Sequence, residues 1–232
     1  MQTKYKYNPW PLGKLPIELQ RKEPDLIREM GYKWDDPRDI VDIFERKLAD
    51  FWNSPYAVAV DCCSHALFLC LKYTQTKRVL STITIPKQTY CSVPMQIENA
   101  GLKVKFETHF WEGFYALRPT NIIDAAVVWQ RGGYMSGKLM CLSFQIKKMI
   151  PVGKMGAILT DDPEAYKWLK LASYDGRDLT TPYDSKGHIK MTGYHFYATP
   201  EDCARAIILM DLVKTEGCYM GSEDYPDLSE ML

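Results

Sequence analysis

The chain has 232 residues, enough to bury a substantial core as one domain or as one domain with a small appendage. Its 29 basic residues balance 29 acidic ones, which excludes a global field that recruits nucleic acid or anionic lipid. No run approaches the roughly 20 apolar residues of a membrane helix, and a 46% hydrophobic, 25% charged composition is that of an ordinary globular protein.

The opening Met1-Gln2-Thr3-Lys4-Tyr5-Lys6-Tyr7 lacks the apolar core of a signal peptide. The seven cysteines are odd in number, and Cys70, Cys141 and Cys203 lie in apolar stretches. Reduced thiols in a cytoplasm suit that pattern better than a disulfide framework. Adjacent Cys62-Cys63 lack the spacing of a zinc site, so no metal is expected.

Residues 1–37, rich in Pro, Tyr, Trp and charge, read as an N-terminal arm with one short helix over 17–30. Ile40, Val41, Phe44, Leu48, Phe51 and Trp52 recur at helical spacing and predict a helix over 38–53. Short β-rich runs follow at 56–60, 79–85, 102–106, 122–129, 139–144 and 157–160, with helix-like segments at 64–73, 90–100 and 163–174 between them. Near-continuous apolar strands interleaved with helices predict an α/β fold: a mostly parallel central sheet with helices on both faces. Residues 175–192 are polar and punctuated by Gly and Pro, and read as a long loop. A helix begins after Thr199, with Pro200 at its first position and Glu201-Asp202 favouring the N-terminal dipole. The boundaries are therefore an arm at 1–37, a main domain at 38–215 and an acidic tail at 216–232, read as mobile or as a docking strip.

Ligands of such sheets bind beyond the carboxyl ends of the strands, and four junctions there carry chemistry. After the run 56–60 come Cys62-Cys63-Ser64-His65, where a helix N-terminus and a hydroxyl suit a phosphate. Ser64 equally fits a plain N-cap. After 79–85 comes Thr89-Tyr90, whose ring suits a flat aromatic ligand or a core position. Asp124 follows Ile122-Ile123, and a carboxylate there is costly unless partnered. A protonated pyridine nitrogen is one such partner, a cap on the next segment another. Finally, Ser143 precedes Lys148 by five residues. A lysine in a desolvated site has its pKa lowered and becomes a nucleophile toward an aldehyde. Lys147 beside it leaves a solvated loop lysine as the plain alternative. A carboxylate, a hydroxyl and a lysine on successive strand ends are the requirements of a pyridoxal 5'-phosphate (PLP) site.

In order and spacing these segments resemble the DegT/DnrJ/EryC1/StrS family, the PLP-dependent sugar aminotransferases of fold type I. Phe44-Glu45 is similar to the family's entry into the domain. Ser64-His65-Ala66-Leu67 is similar to its phosphate loop, and Pro86 with Thr89-Tyr90 to its proline followed by threonine-aromatic. Asp124-Ala125-Ala126, then Ser143-Phe144 with Lys148, Gly153 and Gly156-Ala157, follow the family's order, as does Gly193-Tyr194-His195-Phe196. The likeness runs over roughly residues 38–215.

The resemblance implies a PLP-binding large domain of the fold type I transferases. Lys148 would be the Schiff-base lysine, chosen over Lys147 by its spacing, and Asp124 the pyridinium partner. Ser64, Cys63 and Ser143 would lie at the phosphate, Tyr90 on the ring, and His195 where the family reaches toward a neighbouring subunit's phosphate. It further implies a homodimer that carries an amino group from an amino acid such as glutamate to a keto sugar of the nucleotide-linked kind. The alternative is a degenerate member that binds PLP or a partner without transaminating. Cys62-Cys63 replace the family's serine-glycine, Val127 its histidine or glutamine, and Lys154-Met155 an acidic residue and a glycine. The family's small C-terminal domain is essentially absent.

Overall fold

The computed structural model describes residues 17–181 and 185–231, so the first 16 residues of the expected arm lie outside the described residues. The main elements, in chain order, are α1 (Glu23–Glu29), α2 (Asp39–Trp52), β1 (Tyr56–Val60), α3 (Cys63–Lys77), β2 (Thr82–Pro86), α4 (Ser92–Asn99) and β3 (Lys103–Glu107). Then follow β4 (Tyr115–Leu117), β5 (Ile122–Asp124), β6 (Val128–Trp129), β7 (Leu139–Ser143) and β8 (Gly156–Thr160). Helices α5 (Pro163–Ser173) and α6 (Pro200–Leu212) and the short strand β9 (Gly217–Cys218) complete the series.

Local sequence explains most of these elements. Helix α2 buries Ile40, Phe44, Leu48 and Trp52 and ends at Asn53, whose left-handed backbone (φ 56°) closes the last turn. Helices α5 and α6 start at proline behind a capping side chain: Asp162 accepts from the Glu164 amide, and Thr199 from that of Asp202.

The central sheet has the order β1-β8-β7-β5-β4, and β2 and β3 form a second, parallel pair. Two antiparallel backbone hydrogen bonds between Thr84 and Arg118, of 2.8 and 3.0 Å, connect β2 to the residue after β4. Strands β1, β2, β3, β5 and β7 thus share one direction, while β4 and β8 run against it. The expected mostly parallel sheet is met in strand direction but corrected in pairing to a mixed sheet. The two reversed strands sit between the others, so only β5–β7 and β2–β3 are parallel neighbours among the described residues.

Alternation along the strands divides the core in two. Val58, Val60, Cys141 and Ile158 face the layer that holds α3, α4 and α5. Ala57, Ala59, Met140, Leu142 and Leu159 face the layer that holds α2 and α6. Helices therefore cover both faces, as expected. Helix α1 is bound to the second layer, because Ile27 is fully buried there and α1 packs on α6.

Two further segments depart from the expected pattern. The run expected over 122–129 breaks into β5 and β6, because the Asp124 carboxylate turns back to accept the Ala126 amide at 3.0 Å. Strand β6 then pairs with β9 in the C-terminal segment. That segment, residues 217–231, is a strap laid along the molecule. The Leu228 amide donates to the Lys87 carbonyl (2.8 Å), the Ser222 amide to the Trp111 carbonyl (2.9 Å), and Lys87 pairs with Asp227 at 2.6 Å. Ser222 and Leu228 are buried.

Candidate active site

The common strand direction brings the carboxyl ends of β1, β2, β5 and β7 to one edge of the sheet, and a cavity of about 580 Å³ opens there. Cys63, Ser64, Tyr90, Asp124, Ser143 and Lys148 all line it. Six of the seven expected site residues therefore meet in one place. His195 does not: it is exposed, and its ring pairs with Asp175 at 2.9 Å outside this cavity.

Lys148 lies in the loop between β7 and β8, which is closed on itself. The Ile146 amide donates to the Gly153 carbonyl (3.1 Å) and the Lys148 amide to the Gln145 carbonyl (2.8 Å). The Lys148 side chain is half-buried, and its pKa lies below the usual lysine value. Burial is the main cause and the Lys147 charge adds to it, while Cys63 and Asp124 pull the other way. Lys147 also borders the cavity but is exposed.

Asp124, at the end of β5, is 6% exposed. Burial raises its pKa, against a set of compensating contacts. The Tyr115 hydroxyl donates to Oδ2 at 2.6 Å, the Ala126 amide donates to Oδ1, and the Lys148 charge also favours the carboxylate. Burial likewise pushes the Cys63 thiol well up, which keeps it protonated beside this carboxylate.

At the other end of the cavity α3 begins at Cys62 with no side chain capping its first turn. The Ser64 hydroxyl lies 2.6 Å from that of Ser92, the first residue of α4. Uncapped helix amides and hydroxyls suit a phosphate. The entry to α3 is fixed by an ion pair: Asp61 holds the His65 ring at 2.7 Å and raises its pKa to about 9, with help from Cys62. The ring stacks on Phe196 with centroids 3.7 Å apart. Asp61, Cys62 and His65 place ligand atoms within 4.8 Å of one another, yet His65 is a cation there and Lys154 adds a second at 3.4 Å, so the cluster is an ion pair in character.

The turn into α3 also depends on Gly156. A Cβ there would meet the carbonyl carbon of Cys62 and the amide nitrogen of Cys63, each at 2.5 Å. Both are backbone atoms, so the neighbour cannot rotate away. Gly156→Ala is expected to cost about 1–3 kcal/mol as overpacking and to displace the Cys62-Cys63 peptide. Urea denaturation measures the first effect; a parallel loss of phosphate or PLP affinity measures the second.

The sequence reading did not assign Tyr115, Thr89 or Ser92 to the site, nor Met220, Asp224, Tyr225 and Leu228 of the strap, all of which border the cavity. Tyr115 lies on a three-residue strand too short to show alternation. The strap is polar and acidic in sequence, and its anchoring contacts join residues more than a hundred positions apart.

A carboxylate, a depressed lysine and a hydroxyl-lined helix end in one cavity are the parts of a PLP site, and the volume lies within the usual range for a cofactor pocket. The residues present fit that group. The fold is that of the PLP-dependent aminotransferases of fold type I, and solved chains of that class overlay the protein closely. Sugar aminotransferase CalS13 from Micromonospora echinospora matches with a TM-score of 0.65 at 14% identity, over 88% of this chain and 68% of that one. AtS13 from Actinomadura melliaura matches at 0.64 and 17% identity, over 88% and 68%. PseC, a Helicobacter pylori aminotransferase of pseudoaminic acid biosynthesis, matches at 0.62 and 14%, over 84% and 64%. The chain thus spans about two thirds of the length of these proteins. Residues 28–108, less than half of the chain, match the model of the DegT/DnrJ/EryC1/StrS aminotransferase family, and this stretch holds Phe44-Glu45, the Ser64 loop and Thr89-Tyr90. A search of curated protein sequences returns no match.

Proposed function

We propose that the protein is a PLP-dependent aminotransferase that moves an amino group from an amino acid, glutamate in the first instance, to a keto sugar carried on a nucleotide. The observation that carries this reading is the meeting of half-buried Lys148 and buried Asp124 in one cavity at the carboxyl edge of the sheet. The family match over residues 28–108 and the fold support it.

When bound, PLP supplies an aldehyde and a ring that accepts electrons as a substrate carbon loses its proton. The chain's own groups then divide the work. Lys148, whose pKa burial lowers, would be the amine that holds the aldehyde and, when free of it, would move the proton to and from the reacting carbon. Asp124 would hold a proton on the ring nitrogen. Ser64, Ser143 and the first amides of α3, including that of Cys63, hold the phosphate. Tyr90 would cover the ring, and the strap residues Tyr225 and Leu228, which border the cavity, would exclude water from one wall. His195, exposed and away from its own cavity, would serve the site of a second copy in a homodimer. A cytoplasmic setting suits the seven free thiols.

The test is spectroscopic. Purified protein mixed with PLP should turn yellow, and glutamate should then convert the visible band to that of the pyridoxamine form. A yellow protein that no amino donor bleaches would support the alternative, a PLP binder without transaminase activity. No visible band at any PLP concentration would refute both PLP readings and leave the degenerate member that binds a partner.

A further inference from the structure

Asp124 is not alone in its pocket. Tyr115 is 4% exposed, sits on the reversed strand β4 directly opposite Asp124, and donates its hydroxyl proton to Oδ2 at 2.6 Å. Thr89, 1% exposed, stands against the same phenol oxygen. The phenol has one proton and it is committed to Asp124, so the Thr89 hydroxyl must be the donor to Tyr115. A directed chain results: Thr89 to Tyr115 to Asp124, all three buried and all three bordering the cavity. The Ala126 amide occupies one lone pair of the other carboxylate oxygen. Each oxygen keeps a second lone pair for a ligand. Val127, at the position where the resemblance expects a histidine or glutamine, supplies no polar contact, so the polar support for Asp124 comes from β4 instead.

We propose that Tyr115, backed by Thr89, is a positioning residue that holds Asp124 as a carboxylate and thereby keeps the proton of the acid–ring pair on the cofactor's ring nitrogen. This rests on the PLP reading given above. The physical reason is a competition for one proton. A buried carboxylate and a pyridine nitrogen share it, and a hydrogen bond donated to the carboxylate lowers its basicity relative to the nitrogen. Burial alone pushes the proton toward the acid, and the Tyr115 hydroxyl pushes it back. With the hydroxyl removed, the proton moves toward Asp124, the ring becomes less positive and its capacity to accept electrons falls.

Tyr115→Phe isolates this contact, since it removes one oxygen and leaves the ring packing. The probe is PLP labelled with ¹⁵N at the ring, bound to the full chain and read by NMR. Wild type should give a pyridinium-like resonance, and Tyr115→Phe should move it toward the unprotonated-pyridine position. The rate constant of the glutamate half-reaction should fall about tenfold, the rate equivalent of one hydrogen bond to a charged group, with KM for glutamate within about twofold. Thr89→Val should move the resonance in the same direction by less, and Thr89→Ser should restore it. A Tyr115→Phe resonance identical to wild type overturns the inference while leaving the PLP reading intact. If Tyr115→Phe does not fold or retain PLP, the Thr89→Val resonance decides, and no movement there overturns the inference. A wild-type protein that takes up no PLP removes the cofactor reading itself.

Discussion

Lys148→Ala should abolish the covalent PLP adduct that borohydride is expected to trap in the wild-type protein, while Lys147→Ala should keep it. The two lysines are neighbours and both border the cavity, so their environments must separate them. Lys147 is exposed to solvent. Lys148 is half-buried, and burial together with the Lys147 charge lowers its pKa, which leaves more free amine near neutral pH. It also lies close enough to Asp124 and Cys63 to feel both. On the proposed reading, transamination by Lys148→Ala should fall at least about 10³-fold, since the same amine would be nucleophile and proton carrier. Folding should be little affected, because the substitution removes a cation that burial disfavours. Peptide mapping of the reduced adduct decides the matter, and an adduct on Lys147 would overturn the assignment.

The second large effect lies on the opposite side of β1. Glu45 of α2 is 5% exposed, accepts the Ala59 amide at 2.8 Å and receives Lys170 of α5 at 2.7 Å. Asp42 stands 3.6 Å from the same ammonium. The two carboxylates hold Lys170 charged, with its pKa raised despite burial, and burial raises that of Glu45. Lys170→Met leaves Glu45 with no countercharge, and breaking a buried pair from one side costs about 3–5 kcal/mol. The pH dependence follows from the sign of the shift. A folded-state pKa above the unfolded value means that the folded state binds the proton more tightly, so stability is present at low pH and is lost as pH rises through the raised value. Without Lys170 the Glu45 value rises further, so the deficit should be greatest near pH 8 and shrink toward pH 5. Urea denaturation of both proteins at the two pH values measures it. Glu45→Gln in the Lys170→Met background should recover much of the loss at pH 8.

The parts of this molecule that were legible in its sequence are those whose cause is local. The 3.6-residue spacing of Ile40, Phe44 and Leu48 places α2, and Pro200 behind Thr199 places the start of α6. Asp124 beyond two isoleucines announced a buried acid, and the structure buries it. What was hidden has a long-range cause. The same apolar run that exposed Asp124 concealed the break after it, because the turn depends on the carboxylate finding the Ala126 amide. Tyr115 reaches the site only through the pairing of β4 with β5. The reversal of β4 and β8 between co-directional strands leaves no mark in local composition. Nor does composition reveal that Ser64 and Ser92, 28 residues apart, bring their hydroxyls into contact.

The strap ties the cavity to the stability of the last part of the chain. Residues 217–231 are held by a short strand pair, backbone bonds, the Lys87–Asp227 ion pair and the buried Ser222 and Leu228, and their release as a local opening is expected to cost less than global unfolding. Because Met220, Tyr225 and Leu228 are also cavity wall, a molecule held beneath them would favour the closed form. Occupancy and closure then share one equilibrium, and saturating the cavity protects the amide of Leu228 from solvent exchange by the factor with which ligand outweighs its dissociation constant. That single amide, whose nitrogen lies 2.8 Å from the Lys87 carbonyl oxygen, would count bound ligand without needing a colour or a turnover.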